Sequence, residues 1–295
     1  MLKKKIGCIG VGLMGHGIAR NIVGKGWPLQ FLEHPGNQPT QDLVDQGAVA
    51  FKDPRDLARA SDIIILCVSG TPQVEAIISG DSGILSAITP GTTIIDCSTA
   101  IPASTVALAG AVEAAGGRFV DAAMTRTPLE AEQGRLNLLV GGDRAVFDEI
   151  RPLLGTFAEN LFYAGPVGSG HKLKLLHNFV SVSFVTLLGE AAACAKKVGI
   201  PAEVLVDALA KGGGHGAALE RVAPFLLEGD PSRLKFAISH AFKDMSYYNT
   251  MAETQNCQRH IAAGVKDALG SLVEAGLGGE YLSSTAEQFG KLRAG

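Results

Sequence analysis

The sequence predicts an α/β chain: a doubly wound parallel sheet domain followed by an all-α domain, joined by a long interdomain helix. Three observations predict it. Short apolar runs alternate with helical patterns through the first half, as βαβ units building a parallel sheet require. A glycine-rich turn follows the first of those runs. After Tyr163-Ala-Gly-Pro-Val-Gly-Ser-Gly170 strand signals cease and helical patterns continue almost to the end.

Ile6–Ile9 is the first expected strand, and Gly10-Val-Gly12-Leu13-Met14-Gly15 follows it directly. In that position the first glycine permits a tight turn and the second lets backbone approach a pyrophosphate. The third lets the helix that begins near Met14 pack on the sheet with its N-terminus toward the phosphates. A second strand, Leu29–Leu32, ends at Glu33, about 20 residues beyond the glycines, where a carboxylate accepts from the ribose hydroxyls of the adenosine half. An isolated glycine pattern is an ordinary connection; strand, glycines, helix, strand and acid in order make a Rossmann-type dinucleotide site. Glu33 would repel a 2′-phosphate, and no Arg or Lys follows it before Lys52, so NAD rather than NADP is the expected cofactor. His34 reads as a solvated loop residue.

The apolar run 61–68 suits the interior of a parallel sheet. Runs 92–96, 118–122 and 136–140 continue the series, and none is expected beyond Val140. Helical patterns cover 15–25, 41–46, 73–78, 103–115 and 144–154. A long helix is expected over 171–198, stopped by Gly199-Ile-Pro201, with further helices interrupted at Gly212–Gly216 and Gly229-Asp-Pro231. The expected domains are a dinucleotide-binding domain over 1–165 and a helical substrate and oligomerisation domain over 166–295, with the reaction in the cleft between them.

At 295 residues the chain is long enough for two domains, and 46% apolar with 19% charged residues is a globular balance. A net charge of −3 gives no electrostatic case for a nucleic-acid or membrane partner. No segment is expected to have the uninterrupted apolar length of a membrane span; the richest, 175–195, carries His177, Asn178 and Glu190. The basic start, Met1 to Lys5, leads into a run too short for a signal peptide and is expected to enter the first strand. Cys8, Cys67, Cys97, Cys194 and Cys257 are odd in number and lack a CxxC pair, as expected of reduced thiols in a cytoplasmic protein without a metal site.

Lys174 and Asn178 are one helical turn apart and share a face. A lysine in an apolar helix near a domain junction is a candidate for a depressed pKa; neutral, it takes a proton from a substrate hydroxyl, and charged it returns one. The alternative is a surface lysine beside an asparagine bonded within its helix. Lys172 points to another face. Ser98 and Thr99 follow the strand at 92–96, where ligands bind in such sheets, and either contact ligand or cap the helix starting near Pro102. Thr125-Arg126-Thr127 follows another strand; its arginine is either an anion clamp for carboxylate or sulfonate or an exposed loop residue. Lys243-Asp244 reads as a surface pair, and His215 as a mobile residue of a glycine loop.

Taken together these residues resemble the β-hydroxyacid dehydrogenases, typified by 3-hydroxyisobutyrate dehydrogenase and tartronate semialdehyde reductase. The resemblance spans nearly the whole chain. It rests on Gly10–Gly15, Asp96-Cys-Ser-Thr99 with Pro102, Asp121-Ala-Ala with Gly134, Gly141-Gly142, Gly168-Ser-Gly170 leading to Lys174 and Asn178, and Lys243-Asp244. It implies that Lys174 is the general acid/base and Asn178 its companion. It also implies a substrate-binding set of Ser98, Thr125, Arg126 and Thr127. The cofactor set would be Gly10, Gly12, Leu13, Met14, Gly15, Glu33, Val68, Thr99 and Lys243. Family members oxidise an alcohol β to an acid group reversibly, without a metal, as homodimers or homotetramers. Three departures stand out. The family's Ser-Gly-Gly loop is Thr125-Arg126-Thr127 here, similar to sulfolactaldehyde reductases, which raises a sulfonated substrate as an alternative. His177 replaces the first of two adjacent asparagines, and Glu280 stands near where many members have aspartate. A catalytically silent dinucleotide-binding relative would usually lack the lysine, as imine reductases do, and 6-phosphogluconate dehydrogenases need a longer helical domain.

Overall fold

The computed structural model describes residues 3–291. Fifteen elements alternate through its first part: β1 (Ile6–Ile9), α1 (Gly15–Gly24), β2 (Leu29–Leu32), α2 (Gln41–Asp45), β3 (Val49–Phe51), α3 (Pro54–Arg59), β4 (Ile63–Leu66), α4 (Thr71–Ser79), β5 (Thr93–Asp96), α5 (Pro102–Ala114), β6 (Arg118–Thr125), α6 (Pro128–Glu132), β7 (Leu136–Gly141), α7 (Arg144–Leu154) and β8 (Ala158–Gly165). Then come α8 (Ser169–Lys197), α9 (Ala202–Lys211), α10 (Ala217–Glu228), α11 (Ile238–Thr254), α12 (His260–Glu274) and α13 (Thr285–Lys291).

The strands form one sheet in the order β3-β2-β1-β4-β5-β6-β7-β8. All neighbours are parallel except β6 and β7. The first six positions reproduce the strand order of dinucleotide-binding sheets, with the order reversing between β1 and β4. Ile63, Ile64, Ile65 and Leu66 are buried on both sides, which is why that strand reads as an unbroken apolar run. One core, around Ile18, Ile22, Phe31 and Phe157, covers one face of the sheet. A second, around Leu57, Ile64, Ile78 and Val112, covers the other.

Ile9, Leu66, Asp96, Asp121 and Gly141 stand in one register row across five strands. Strands β1, β4 and β5 end on this row, whereas β6 continues to Thr125 and pairs with β7, which pairs in turn with β8, as a three-stranded extension.

Two expectations are corrected and one strand is added. A strand does follow Val140: β8 lies at the sheet edge, alternates exposed and half-buried positions from Asn160 onward, and with Glu159-Asn160 near its start lacks the continuous apolar run of the interior strands. β3, three residues long, is also an edge strand without its own sequence signal. Helix α8 is long and apolar enough, by length and composition, to cross a membrane, contrary to the expectation that no segment is. A core helix passes the same test, and Leu175, Val182 and Val185 of α8 are buried in the helical core.

The chain separates into two compact units, and the division falls inside α8, between Lys174 and Leu175. Among the described residues the second unit is helical apart from one isolated bridge between Ala237 and Tyr281, and it packs its helices around Leu175, Val182, Val222, Met245, Leu269 and Leu272. Phe179 stacks on Tyr248 with ring centroids 4.4 Å apart. Among the cysteines Cys8 and Cys97 are buried, Cys194 and Cys257 exposed, and none forms a disulfide.

Candidate active site

The turn between β1 and α1 is built on two close approaches. Gly10 has φ +93°, and a Cβ there would meet the Cys67 carbonyl oxygen at 2.2 Å. At Gly15 a Cβ would lie 1.9 Å from the Gly10 carbonyl oxygen, so only glycine lets α1 start this near the strand. Gly12 differs: its nearest neighbour would be the Gly36 carbonyl oxygen, 3.7 Å away. Its backbone is open to a ligand, which is the space a pyrophosphate needs. No acidic residue occupies the first turn of α1, leaving its positive end uncompensated by carboxylate. Met14 is the N-cap residue and Leu13 is 59% exposed. These features fit a dinucleotide.

Glu33 is exposed at the end of β2, its N–H donating to the Phe51 carbonyl at 2.8 Å. The loop beyond it folds against the glycine turn. Val11 N–H donates to Asn37 Oδ1 (3.2 Å), Asn37 Nδ2 donates to the Leu32 carbonyl (2.9 Å), and Gln38 N–H donates to the Val11 carbonyl (2.8 Å). Asn37 was not singled out from sequence, although its place in a Pro-Gly-Asn turn was a usable signal. His34 accepts from the Gly36 N–H at 3.0 Å and belongs to the same loop.

Because β1, β2, β4, β5 and β6 are parallel, their ends place the glycine turn, Glu33, Val68, Ser98 and Thr99 along one edge of the sheet, with Thr125 on the β6 extension beyond it. Ser98 Oγ accepts from the Val68 N–H (3.0 Å), and the Ser98 N–H donates to Asp96 Oδ1 (2.9 Å). Neither Ser98 nor Thr99 caps α5. Ile101 is its N-cap and no side chain bonds there; the Ile101 N–H donates instead to Thr71 Oγ1 at 2.8 Å. The hydroxyl of Ser98 is turned back to the neighbouring strand end, which removes the capping alternative.

On the extension, Asn137 Nδ2 donates to Thr125 Oγ1 (3.1 Å), and Asn160 Nδ2 donates to Asn137 Oδ1 (2.9 Å). Thr125 accepts in that bond and keeps its own hydrogen to donate. Arg126 adopts φ +83°, a left-handed backbone that favours glycine. Its guanidinium donates to Glu159 and to the Arg135 carbonyl, and this cation holds the Glu159 carboxyl below the usual range. Thr127 is the N-cap of α6, where its N–H donates to Glu130 Oε2 at 2.9 Å and its hydroxyl bonds the same carboxylate. Arg126 is therefore engaged by β8 and by the residue before β7, and Thr127 by the first turn of α6.

The motifs around Asp121 converge on the start of α8. Asp121 is fully buried; its Oδ1 accepts from the Gly168 N–H and its Oδ2 from the His171 N–H, both at 2.7 Å. A Cβ on Gly141 would fall 2.7 Å from Asp121 Oδ1, and one on Gly170 would fall 2.3 Å from the Leu139 carbonyl oxygen. Asp121, Gly141, Gly168 and Gly170 thus form one joint that fixes where α8 leaves the sheet, six residues before Lys174 counted from Gly168. Burial pushes the Asp121 pKa up, against the opposing influence of His171 and the two backbone N–H groups. Lys174 is half-buried and Lys172 exposed.

In the second unit Asn178 is buried and donates through Nδ2 to Asp244 Oδ2 at 2.6 Å. A carboxylate only accepts, so Asn178 Oδ1 is the atom facing His177, and His177 Nδ1 donates to it at 3.0 Å. Lys243 Nζ stands 3.0 Å from Asp244 Oδ1 and 5.1 Å from the centroid of the Tyr247 ring. Asp244 is 3% exposed, so Lys243-Asp244 is no surface pair but a buried link between two predicted site residues, Asn178 and Lys243. His215 is exposed, 4.0 Å from Glu220, and Glu280 is exposed.

A dinucleotide cradle on a sheet of this order, followed by a helical unit, defines an NAD(P)-binding oxidoreductase architecture. Residues 5–165 match the family model of the NAD-binding domain of 6-phosphogluconate dehydrogenase. Residues 168–287 match that of the NAD-binding domain of NADP-dependent 3-hydroxyisobutyrate dehydrogenase. The chain is 32% identical over 230 residues to 2-(hydroxymethyl)glutarate dehydrogenase of Eubacterium barkeri, covering 77% of this chain and 75% of that one. It is 32% identical over 216 residues to 2-hydroxy-3-oxopropionate reductase of Escherichia coli, covering 73% of each. The crystal structure of 3-hydroxyisobutyrate dehydrogenase from Salmonella typhimurium shares the fold, with a TM-score of 0.86 at 24% identity over 97% of this chain and all of that one. The chain belongs to the β-hydroxyacid dehydrogenase family, the NAD(P)-dependent dehydrogenases related to 3-hydroxyisobutyrate dehydrogenase that act on CH–OH groups.

Proposed function

We propose that the protein interconverts a small 3-hydroxy acid and its semialdehyde, using NAD in preference to NADP and Lys174 as general acid/base. A bound nicotinamide would supply the hydride acceptor and donor for the alcohol carbon. Lys174, neutral, takes the hydroxyl proton in the oxidation; as an ammonium it gives the proton back in the reduction. Asn178, with Nδ2 tied to Asp244 and Oδ1 to His177, has a fixed amide whose second N–H orients the hydroxyl oxygen one helical turn from Lys174. Thr125 donates its hydroxyl hydrogen to the substrate carboxylate. Glu33, exposed at the end of β2 with no cation beside it in sequence, supports NAD over a 2′-phosphorylated cofactor.

The observation that carries the reading is the Asp121 joint. Four glycine and aspartate positions, otherwise unrelated in sequence, serve to start the helix that bears Lys174 at the ligand-binding edge of the sheet. The relatives named above act, by their names, on small oxygenated acids, which agrees with this substrate class. For the acid group we favour a carboxylate over a sulfonate, because Arg126 already has its guanidinium on Glu159 and a carbonyl.

A panel of sulfonated, mono- and dicarboxylated 3-hydroxy acids, with NAD⁺ and NADP⁺ and the reduced cofactor read by absorbance, tests the substrate class. Lys174→Ala should abolish turnover while leaving NAD⁺ affinity within about twofold, since the amine acts on the substrate hydroxyl. Wild-type turnover in that variant would overturn the assignment, and no turnover of any acid despite tight cofactor binding would point to a binding module.

A further inference from the structure

His171 is buried completely, three residues before Lys174 on α8, and the mechanism above does not use it. Its ring reaches across to the β5 edge. Nε2 faces the Ser98 carbonyl oxygen at 3.2 Å and Nδ1 faces Thr105 Oγ1 at 2.7 Å. A carbonyl only accepts, so Nε2 carries a hydrogen and donates it. Thr105 lies on α5 and has a second acceptor within reach, the Ile101 carbonyl at 3.2 Å. The main-chain N–H of the same residue donates to Asp121. One residue thereby touches β6 through its backbone, and through its ring both the loop after β5 and the helix that follows it.

The surroundings explain why a polar ring is kept there. Asp96 and Asp121 are register partners on adjacent strands, so two fully buried carboxyl groups sit side by side. Asp96 Oδ2 has no hydrogen-bond partner and lies 3.8 Å from His171 Nε2. Like groups opposite one another in a sheet repel; backbone N–H groups meet both oxygens of Asp121 and Oδ1 of Asp96, and the imidazole is the polar group that faces the remaining oxygen, Asp96 Oδ2. A residue that only filled space here would be apolar.

We propose that His171 is a positioning residue for the hydride-transfer site: it locks the Ser98–Thr99 loop to the first turns of α8 and so sets the distance between that loop and the Lys174 amine. This rests on the reading of Lys174 as acid/base. Its weight comes from how steeply rate depends on alignment, since displacing a reacting group by about 1 Å costs on the order of 100-fold. Leucine at 171 fills the cavity without either bond. Glutamine restores both in kind, its amide N–H donating to the Ser98 carbonyl and its amide oxygen accepting from the Thr105 hydroxyl.

The full-length chain is tested as His171→Leu, His171→Gln, Thr105→Val and Lys174→Ala. Turnover is measured with NAD⁺ and the 3-hydroxy acid of the panel that reacts fastest, NAD⁺ affinity by titration. Hydrogen exchange of the cofactor-free protein is followed in peptides covering 96–101 and 168–175. For His171→Leu we expect kcat to fall by about 100-fold with KM and NAD⁺ Kd within about threefold, and faster exchange confined to those two segments. His171→Gln should recover at least a tenth of wild-type kcat and the protection of both peptides, with Thr105→Val between. Wild-type kcat in folded His171→Leu would overturn the proposal. So would equal losses of kcat, NAD⁺ affinity and thermal stability that glutamine fails to rescue, which is the behaviour of a purely structural residue. If His171→Leu does not fold, His171→Gln and Thr105→Val carry the test, and wild-type exchange and kcat in Thr105→Val would count against it. Turnover retained by Lys174→Ala would fault the acid/base reading instead; the bridge itself would then be judged by the exchange data.

Discussion

Replacing Asp121 by asparagine should loosen the departure of α8 more than any surface change of equal size. The carboxylate accepts two backbone N–H bonds of 2.7 Å, from Gly168 and His171, in a site with no solvent exposure. Asparagine keeps one acceptor and turns the other oxygen into an NH2 group that faces an N–H. One bond to a charged acceptor is lost, about 1.5–3 kcal/mol, and a buried donor is left unmatched at about 1–3 kcal/mol more. Removing a negative charge from the N-terminal end of a helix adds about 0.3–1 kcal/mol. Against these stands relief of the burial that raises the Asp121 pKa. A net loss of about 2–4 kcal/mol is the expectation. The single tryptophan, Trp27, lies in the first unit, so its fluorescence in a urea titration reports the unfolding of that unit directly. The pH dependence gives a second reading. A carboxyl whose folded pKa is raised weakens the fold as pH climbs from its unfolded value of 3.8 through the raised one, and this slope should vanish in Asp121→Asn. A stability change below about 1 kcal/mol would refute the joint as a structural determinant.

Glu33→Ala should narrow the preference for NAD over NADP by about tenfold, since one unit charge stops repelling a 2′-phosphate; comparing kcat/KM for the two cofactors checks it. Arg126→Ala should change substrate KM by less than about threefold, as expected of a residue paired with Glu159, whereas a tenfold rise would restore it as an anion clamp. His16 lies between Glu132 and Asp42, each 3.1 Å from one ring nitrogen. Burial pulls its pKa down, but bonds to Glu132 and Asp42 outweigh this and leave it raised above 6.5. Its stabilisation is complete below that value and fades as pH rises through the raised one, so His16→Gln should cost about 1 kcal/mol at pH 6 and progressively less in alkaline solution.

The glycine turn and the interior strands were legible in sequence because each has a local cause. Gly10 and Gly15 are where added carbons would strike backbone, and Ile63–Leu66 are apolar because both faces are covered. The edges were harder. β8 lies at the sheet edge, and its polar Glu159-Asn160 start and the Gly165-Pro-Val-Gly168 segment that follows hide it as a strand. Capping by Ser98 was a reasonable expectation from its place before Pro102, but the Val68 N–H, just beyond the end of β4, takes the hydroxyl oxygen instead. Asp244 reads as half of a surface pair because its true partner, Asn178, lies far away in sequence. His171 carries no local signal; its significance depends on two carboxylates that only the sheet register brings together.

The three-stranded projection made by the end of β6 with β7 and β8 has an evolutionary corollary. Thr125, Asn137 and Asn160 lie on it, as does the Arg126–Glu159 pair, beyond the row where the other parallel strands stop. On the substrate role proposed for Thr125, mutations beside it on that projection would change what an incoming acid meets, yet they leave the glycine turn and the lysine-bearing helix untouched. Selection can therefore retune the choice of acid by small steps here, while the hydride machinery is inherited unchanged.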